Sequence, residues 1–272
     1  MIQPPITSLT NTRVKAAVRL RDRREREQTG LTIVDGAREI LRALDAGARV
    51  ETAFLADDLL HTPDAHEVAN RLRHRSSTLA VSAAVLAKVA YGERSDGVVA
   101  IVEAPRLELA DLVLPDDPLI VVVEGVEKPG NLGAVLRTAD GAGADAVIAA
   151  DPRTDPFNPN AIRASLGTIF ALPVVSATSA ETIDWLVDRG IRPVAAIVDA
   201  PTDYIAADLR GPLAVVLGSE AEGLSAAWHD PRVTAVSIAM HGIADSLNVS
   251  IAAAILLYEA ARQRSLPTDR GH

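Results

Sequence analysis

Five polar residues stand out by type and place: Asn131, Arg137, Glu220, Ser246 and Asn248. They lie at or just after the ends of three apolar runs, "LIVVVEGV" (119–126), "LAVVLG" (213–218) and "TAVSIAM" (234–240). In open parallel sheets, ligands collect outside the carboxyl ends of strands. Two amides, a hydroxyl, a carboxylate and a guanidinium in such a place suit hydrogen bonding and the orientation of a polar substrate. Each has a plain structural explanation as well. Arg137 could pair with Asp140 on a helix surface, Glu220 could charge the start of the next helix, and Ser246 and Asn248 could be simple caps. Five such residues at three adjacent strand ends point to a site.

Other chemistries fit poorly. The chain has no cysteine, which removes disulfides and thiolate metal sites. It has neither a G-x-S-x-G elbow for a serine hydrolase nor a G-x-x-x-x-G-K-[ST] phosphate loop. Its histidines, His61, His66 and His74 among them, show no ligand spacing, so no metal is expected. "GAGADA" (141–146) matches a relaxed dinucleotide pattern, but it follows a helical segment and precedes a strand. Gly141 and Gly143 therefore read as a helix stop and turn, which disfavours a nucleotide-dependent oxidoreductase.

The elements that must position these residues fall into two sets. In the first third, 11–28 reads as a helix, followed by strands and helices in alternation: strand 31–36, helix 37–47, strand 50–56, helix 64–74, strand 78–82, helix 82–90 and strand 97–104. This is a small α/β unit of about four strands, residues 1–104. "PRLELADLVLPDDP" (105–118), with three prolines and four acidic residues, reads as a linker. Residues 119–266 then alternate strands with helices, including helices 131–141, 158–170 and 180–189, as a mostly parallel sheet requires. The last helix, from Val249, is so apolar that it reads as buried, and residues 267–272 read as a flexible tail.

At 272 residues the chain is comfortable for two domains, and 48% apolar residues suffice for two cores. Aromatics make up only 3%, so those cores must be Ala, Val, Leu and Ile. No apolar leader and no run of about 20 apolar residues is present, so a soluble, cytoplasmic protein with no membrane partner is expected. The net charge of −9 is unevenly spread: residues 1–103 hold 15 basic against 14 acidic residues, the remainder 12 against 22. The stretch 13–28 alone holds seven basic and three acidic residues. It is either a solvated helix laced with ion pairs or a surface for phosphates.

Three segments then carry a resemblance. "NLGAVLRTADGAGADAVI" (131–148), "VVLGSEAEGLS" (215–225) and "VSIAMHGIADSLNVSIAAAILLYEAAR" (236–262) resemble, in order and spacing, the three motifs of the TrmH-like branch of the SPOUT methyltransferases. "SLTNTRVKAAVRLRDRREREQTGLTIVDGAREI" (8–40) is similar to the ribosomal-protein-like RNA-binding domain that often accompanies them. The resemblance implies an α/β fold: a C-terminal SPOUT domain with a deep trefoil knot, and a smaller N-terminal RNA-binding domain. It implies a homodimer through the C-terminal domain, with each subunit completing the other's site. The implied activity is transfer of methyl from S-adenosylmethionine to a ribose 2′-oxygen of RNA.

Carried over by position, Leu217, Gly218, Ile238, Met240 and Leu247 would hold the cofactor. Arg137 would act at the reacting ribose; because a guanidinium stays protonated, we read it as a clamp on phosphate or ribose. Asn131 would hold Arg137 or the ribose, Glu220 would orient Asn131 or a partner-subunit group, and Ser246 and Asn248 would complete the site. Arg13, Lys15, Arg19, Arg23 and Arg26 would touch RNA phosphates. The additional N-terminal domain favours large-subunit ribosomal RNA as substrate over tRNA. An antibiotic-resistance methylase of the same RNA, and a non-catalytic ribosome-assembly factor, are the alternatives.

Overall fold

The computed structural model describes residues 4–73, 77–92 and 96–265. His74 and the tail 267–272 lie outside the described residues. The chain divides into two compact units, one taking residues up to Pro105 together with Phe157–Ala171, the other taking Arg106–Pro156 and the chain from Leu172.

The basic N-terminal stretch forms two helices where the pattern predicts one. Helix α1 (Thr12–Arg19) is capped by Asn11, whose side chain accepts from Arg13 N at 2.9 Å. Asp22 breaks the run by capping α2 (Arg23–Thr29), accepting from Arg24 N at 2.7 Å. Such a side chain offers the backbone an alternative to continuing the helix. The four-stranded sheet of this unit, β1 (Leu31–Asp35), β2 (Val50–Leu55), β3 (Thr78–Ala80) and β4 (Val98–Glu103), has the order β1-β4-β2-β3. Its pairs are antiparallel except β2–β3. Helices α3 (Ala37–Asp45), α4 (Pro63–Leu72) and α5 (Ala83–Val89) complete it. Val14, Ala17 and Leu20 of the first helical turns share one core with Val85, Leu86 and Val89 of α5 and with Ile33, Phe54, Val99 and Ile101 of the strands.

Residues 157–171 depart from the simple two-part division at 105–118. The predicted helix 158–170 is the short α7 (Pro159–Ala164) followed by a single 3-10 turn, because Leu166 (φ 54°) and Gly167 (φ 83°) adopt left-handed backbone between them. The segment belongs to the first unit through specific bonds. Thr32 Oγ1 donates to Phe157 O at 2.7 Å, Arg42 donates to Leu166 O at 2.7 Å, and Arg163 reaches the buried Asp35 at 3.1 Å.

The second unit is a six-stranded sheet in which every pair is parallel: β5 (Leu119–Glu124), β6 (Ala146–Ala150), β7 (Val174–Ala177), β8 (Arg192–Ala196), β9 (Leu213–Leu217) and β10 (Thr234–Val236). Its order is β10-β8-β9-β5-β6-β7. All six residues of β5 are buried, as expected for a strand covered on both faces. Helix α8 (Ser179–Asp188) covers one face. Helices α6 (Pro129–Ala142) and α9 (Val249–Ser265) pack on each other, with α9 also on β9. The predicted linker is ordered and belongs here: Leu112 is buried, and Leu107, Leu109 and Leu114 pack around Ala146 and Val175. The strand order reverses between β5 and β9, which makes the ends of these neighbours the topological switch point. Among the described residues, no helix is long and apolar enough to cross a membrane.

Candidate active site

The two strands at the switch point end in turns that are held together from below. Glu124, the buried last residue of β5, accepts from Ser225 N and Ser225 Oγ, each at 2.7 Å, and from Ser179 Oγ at 2.5 Å. One carboxylate thereby anchors the far end of the turn that follows β9. Within that turn, Ser219 and Gly223 exchange backbone hydrogen bonds of 3.0 Å in both directions. The close approach leaves no room at Gly218: a Cβ there would stand 2.2 Å from the carbonyl carbon of Gly223. Arg153 ties the turns across their outer side, donating to Glu127 after β5 and to Glu222 after β9, each at 2.5 Å.

Beside this turn lies a cavity of about 320 Å³. Leu217, Gly218, Ile238, Met240 and Leu247 all line it, as does Ser246. These residues come from the end of β9 and from the segment between β10 and α9. The wall is apolar through Ile197, Val198, Leu217, Ile238, Leu247 and Val249, whereas Glu220, Glu222 and Asp245 place three acidic groups on it. An apolar wall with few polar groups suits a small organic ligand. The acidic groups favour one that carries positive charge.

A second cavity, of about 250 Å³, adjoins the first and shares Gly218, Ser219, Glu220 and Val249 with it. Its remaining lining includes Glu127, Lys128 and Asn131. Four polar side chains meet here. Asn248 donates from Nδ2 to Glu220 Oε1 and stands 3.5 Å from Asn131 Oδ1. Lys128 Nζ binds Glu220 Oε2 at 2.9 Å. The other side of the Asn248 amide caps α9, accepting from Ser250 N at 2.9 Å and from Ser250 Oγ at 2.6 Å.

The structure thus brings together Asn131, Glu220 and Asn248, with Ser246 on the neighbouring cavity. It does not join Asn131 to Arg137, as the sequence reading expected. Arg137 lies six residues further along α6, about 240° around the helix at 3.6 residues per turn. It is exposed and, among the described residues, makes no hydrogen bond or ion pair, with Asp140 included. Glu220 likewise orients Asn248 rather than bonding Asn131 directly. Sequence reasoning missed Lys128. Its signal was position alone, in the same "EKPGN" turn as Asn131.

On the first unit, Arg13, Lys15 and Arg19 are exposed along α1, and Arg23 pairs with Glu27 at 2.6 Å. Arg26 does not belong to that surface. It is buried and donates to Leu20 O at 2.9 Å and Arg21 O at 3.0 Å, closing the break between α1 and α2. Among the described residues, no group of three or more metal-ligating side chains is close enough to hold a metal ion.

Residues 118–258 match the family model of the SpoU rRNA Methylase family. The chain belongs to that family. Residues 11–100 of this SpoU methylase match the MRM3-like substrate binding domain. It is 32% identical, over 90% of its length and 87% of the relative's, to the 23S rRNA (uridine(2479)-2′-O)-methyltransferase of Streptomyces viridochromogenes. It is 40% identical, over 65% of its length and 74% of the relative's, to a 23S rRNA (guanosine-2′-O-)-methyltransferase, RlmB, of Ralstonia nicotianae. Among solved structures, a crystal structure of an RNA 2′-O ribose methyltransferase superposes with a TM-score of 0.85 at 43% identity, covering 97% of this SpoU methylase and all of that chain. An AdoMet-bound rRNA methyltransferase from Sinorhizobium meliloti superposes with the same TM-score at 32% identity, covering 95% and 97% of the two chains.

Proposed function

We propose that the protein is an S-adenosylmethionine-dependent 2′-O-ribose methyltransferase acting on large-subunit ribosomal RNA. One observation carries this reading. Five residues from two separated stretches, Leu217 and Gly218, then Ile238, Met240 and Leu247, line one cavity that adjoins the Asn131–Asn248–Glu220–Lys128 cluster. The relatives that match along most of the chain are named for this reaction on 23S rRNA.

The cofactor would occupy the larger cavity. Its apolar wall suits an adenosine, and Glu220, Glu222 and Asp245 suit a ligand bearing a sulfonium and an ammonium. When bound, the sulfonium supplies a reactive methyl group, so much of the protein's task is positioning. The acceptor ribose would enter the smaller cavity. There Asn131 stands 3.5 Å from Asn248, which Glu220 holds in place, and the two amides can bind the ribose hydroxyls. Arg137 is exposed and bonds to no member of its own cluster, so it would serve the site of a second subunit, clamping phosphate or ribose and stabilising charge on the 2′-oxygen.

A dimer through the second unit also accounts for α9. The sequence reads this helix as buried, yet Ile251 and Tyr258 are 50% and 54% exposed. Such apolar side chains on α9 are the material of a subunit interface. The trefoil knot belongs to the same proposal. β10 is the edge strand of its sheet, whereas α9 packs on α6 and β9. Residues 237–248 must therefore return over the sheet, and that return, which pairs at Ser237 with Thr202 and Tyr204, is where the knot would be tied. Arg13, Lys15, Arg19 and Arg23 would contact RNA backbone, and the enzyme would work in the cytoplasm.

The test is transfer of radiolabel from S-adenosylmethionine to unmodified large-subunit RNA, with bulk tRNA in parallel, followed by alkaline hydrolysis. A 2′-O-methyl group protects its phosphodiester from alkali. Protected label in ribosomal RNA is the expected result, and its position names the nucleotide. Label in tRNA alone would overturn the substrate assignment.

A further inference from the structure

Among the described residues that line the two cavities, Lys128 is the single cation. The others with charge are Glu127, Glu220, Glu222 and Asp245, all acidic. An RNA acceptor creates a difficulty at such a site. The carbon bearing the 2′-oxygen adjoins the carbon whose oxygen carries the next phosphate of the chain. Any pose that brings the 2′-oxygen into the acceptor cavity brings that phosphate with it. An anion set against several carboxylates needs a local cation.

We propose that Lys128 binds the phosphate on the 3′ side of the target ribose, and that it leaves Glu220 to do so. The inference rests on the acceptor site proposed above. Lys128 Nζ is bound to Glu220 Oε2 at 2.9 Å, yet its side chain is 72% exposed. An exposed ion pair of this kind is worth little, and an ammonium has three donors, not all used by one carboxylate oxygen. A phosphate entering the cavity therefore competes on easy terms. The exchange has a second effect. In the structure both oxygens of Glu220 are engaged, Oε1 by Asn248 and Oε2 by Lys128. Once Lys128 turns to phosphate, Oε2 becomes free to accept the hydrogen bond of the 2′-hydroxyl while Asn248 still holds Oε1. The substrate's own charge thereby uncovers the group that orients its hydroxyl, which small ribosides lacking the 3′-phosphate cannot do.

The experiment compares wild type, Lys128→Gln and Lys128→Arg as full-length proteins, using transcribed large-subunit RNA and S-adenosylmethionine as separate ligands. RNA dissociation constants are measured over a range of salt, cofactor affinity by calorimetry, and KM and kcat from methyl transfer. Lys128→Gln should raise the Kd and KM for RNA about tenfold, leave cofactor affinity and melting temperature unchanged, and make the salt slope shallower by about 0.7, the share of one phosphate on a single strand. Lys128→Arg, which keeps the charge, should restore the slope. If Lys128→Gln methylates poorly but retains the wild-type RNA affinity and salt slope, Lys128 merely holds Glu220 and the proposal falls alone. If the wild type places no protected label in ribosomal RNA, the site reading falls and this proposal falls with it.

Discussion

Asn248 faces Asn131 amide to amide, Nδ2 3.5 Å from Oδ1, although 117 residues separate them in the chain. The contact joins the entrance of α9 to the entrance of α6, with Glu220 of the turn after β9 as third member. Asn248 has a further engagement. Asn248 Oδ1 is spent on Ser250 as the cap of α9, so only its Nδ2 is directed at the cluster. The concentration of polar residues before an apolar helix is thus explained by two tasks sharing one side chain.

The two tasks can be separated. Asn248→Ala removes the cap and the donor together, costing about 1 kcal/mol of stability as well as turnover. Asn248→Ser retains a capping oxygen but is too short to reach Glu220. It should melt close to wild type and still lose most of its turnover. Wild-type turnover in Asn248→Ser would mean that the side chain acts only as a cap.

Gly218 has no space for a side chain, because a Cβ would meet the backbone of Gly223 and Leu224 at 2.2 to 2.5 Å. Gly218→Ala must move the turn that lines both cavities. Affinity for S-adenosylmethionine, read by calorimetry, should fall at least about tenfold, equivalent to 1.4 kcal/mol. Unchanged affinity would place the cofactor elsewhere.

Arg137→Ala should cut turnover at least about a hundredfold, as expected for loss of a positioned group that stabilises the transition state. The exposed guanidinium has no hydrogen bond among the described residues, so melting temperature and cofactor affinity should not move. Mixing this variant with Asn248→Ser under conditions of subunit exchange should return part of the activity if the two residues act from different subunits. Absence of any recovery would place them in one subunit's site.

The basic helices make an opposing pair of cases. Arg13→Ala, Lys15→Ala and Arg19→Ala should weaken RNA binding in a salt-dependent way without affecting melting. Arg26→Ala should do the reverse, leaving the carbonyls of Leu20 and Arg21 short of a donor, at about 1–3 kcal/mol. Wild-type melting of Arg26→Ala, with weakened RNA binding, would return Arg26 to the RNA surface.

That contrast marks what a sequence can disclose here. Runs such as "LIVVVE" declare a buried parallel strand through composition alone, and the strands of both sheets were legible as strands, though not the antiparallel pairing of the first sheet. Arg26 was not, because charge counting cannot tell a guanidinium that faces water from one that caps a helix break six residues away. The same limit hid the split at Asp22 and the left-handed pair Leu166–Gly167, where local backbone hydrogen bonding overrides apolar periodicity. Lys128 was invisible because its importance lies in the distance to Glu220, 92 residues on.

The crossover 157–171 brings the last prediction. Arg163 donates to Asp35 Oδ2, which also accepts from Tyr91 N at 2.9 Å and Gly92 N at 2.8 Å. The Asp35 side chain is fully buried, and its Oδ1 has no hydrogen-bond partner among the described residues. Burial pushes this carboxyl above the usual aspartate value, against the opposing pull of Gly92, Arg163 and Tyr91, with Asp96 adding a smaller upward push. A raised value means that the folded state holds the proton more tightly than the unfolded one. The stability this provides is fully present below the unfolded value and is lost as pH rises through the folded one. Asp35→Asn keeps an oxygen for the backbone donors but cannot ionise. The urea midpoint of the variant relative to wild type should therefore move in the variant's favour as pH rises from about 4 and then level off. Glu39, also raised by burial, is common to both proteins, so the difference isolates Asp35. Arg163→Met removes one of the groups that hold the Asp35 value down and should extend the sloping region to higher pH. Parallel pH profiles for wild type and Asp35→Asn would show that Asp35 titrates alike in the folded and unfolded chains.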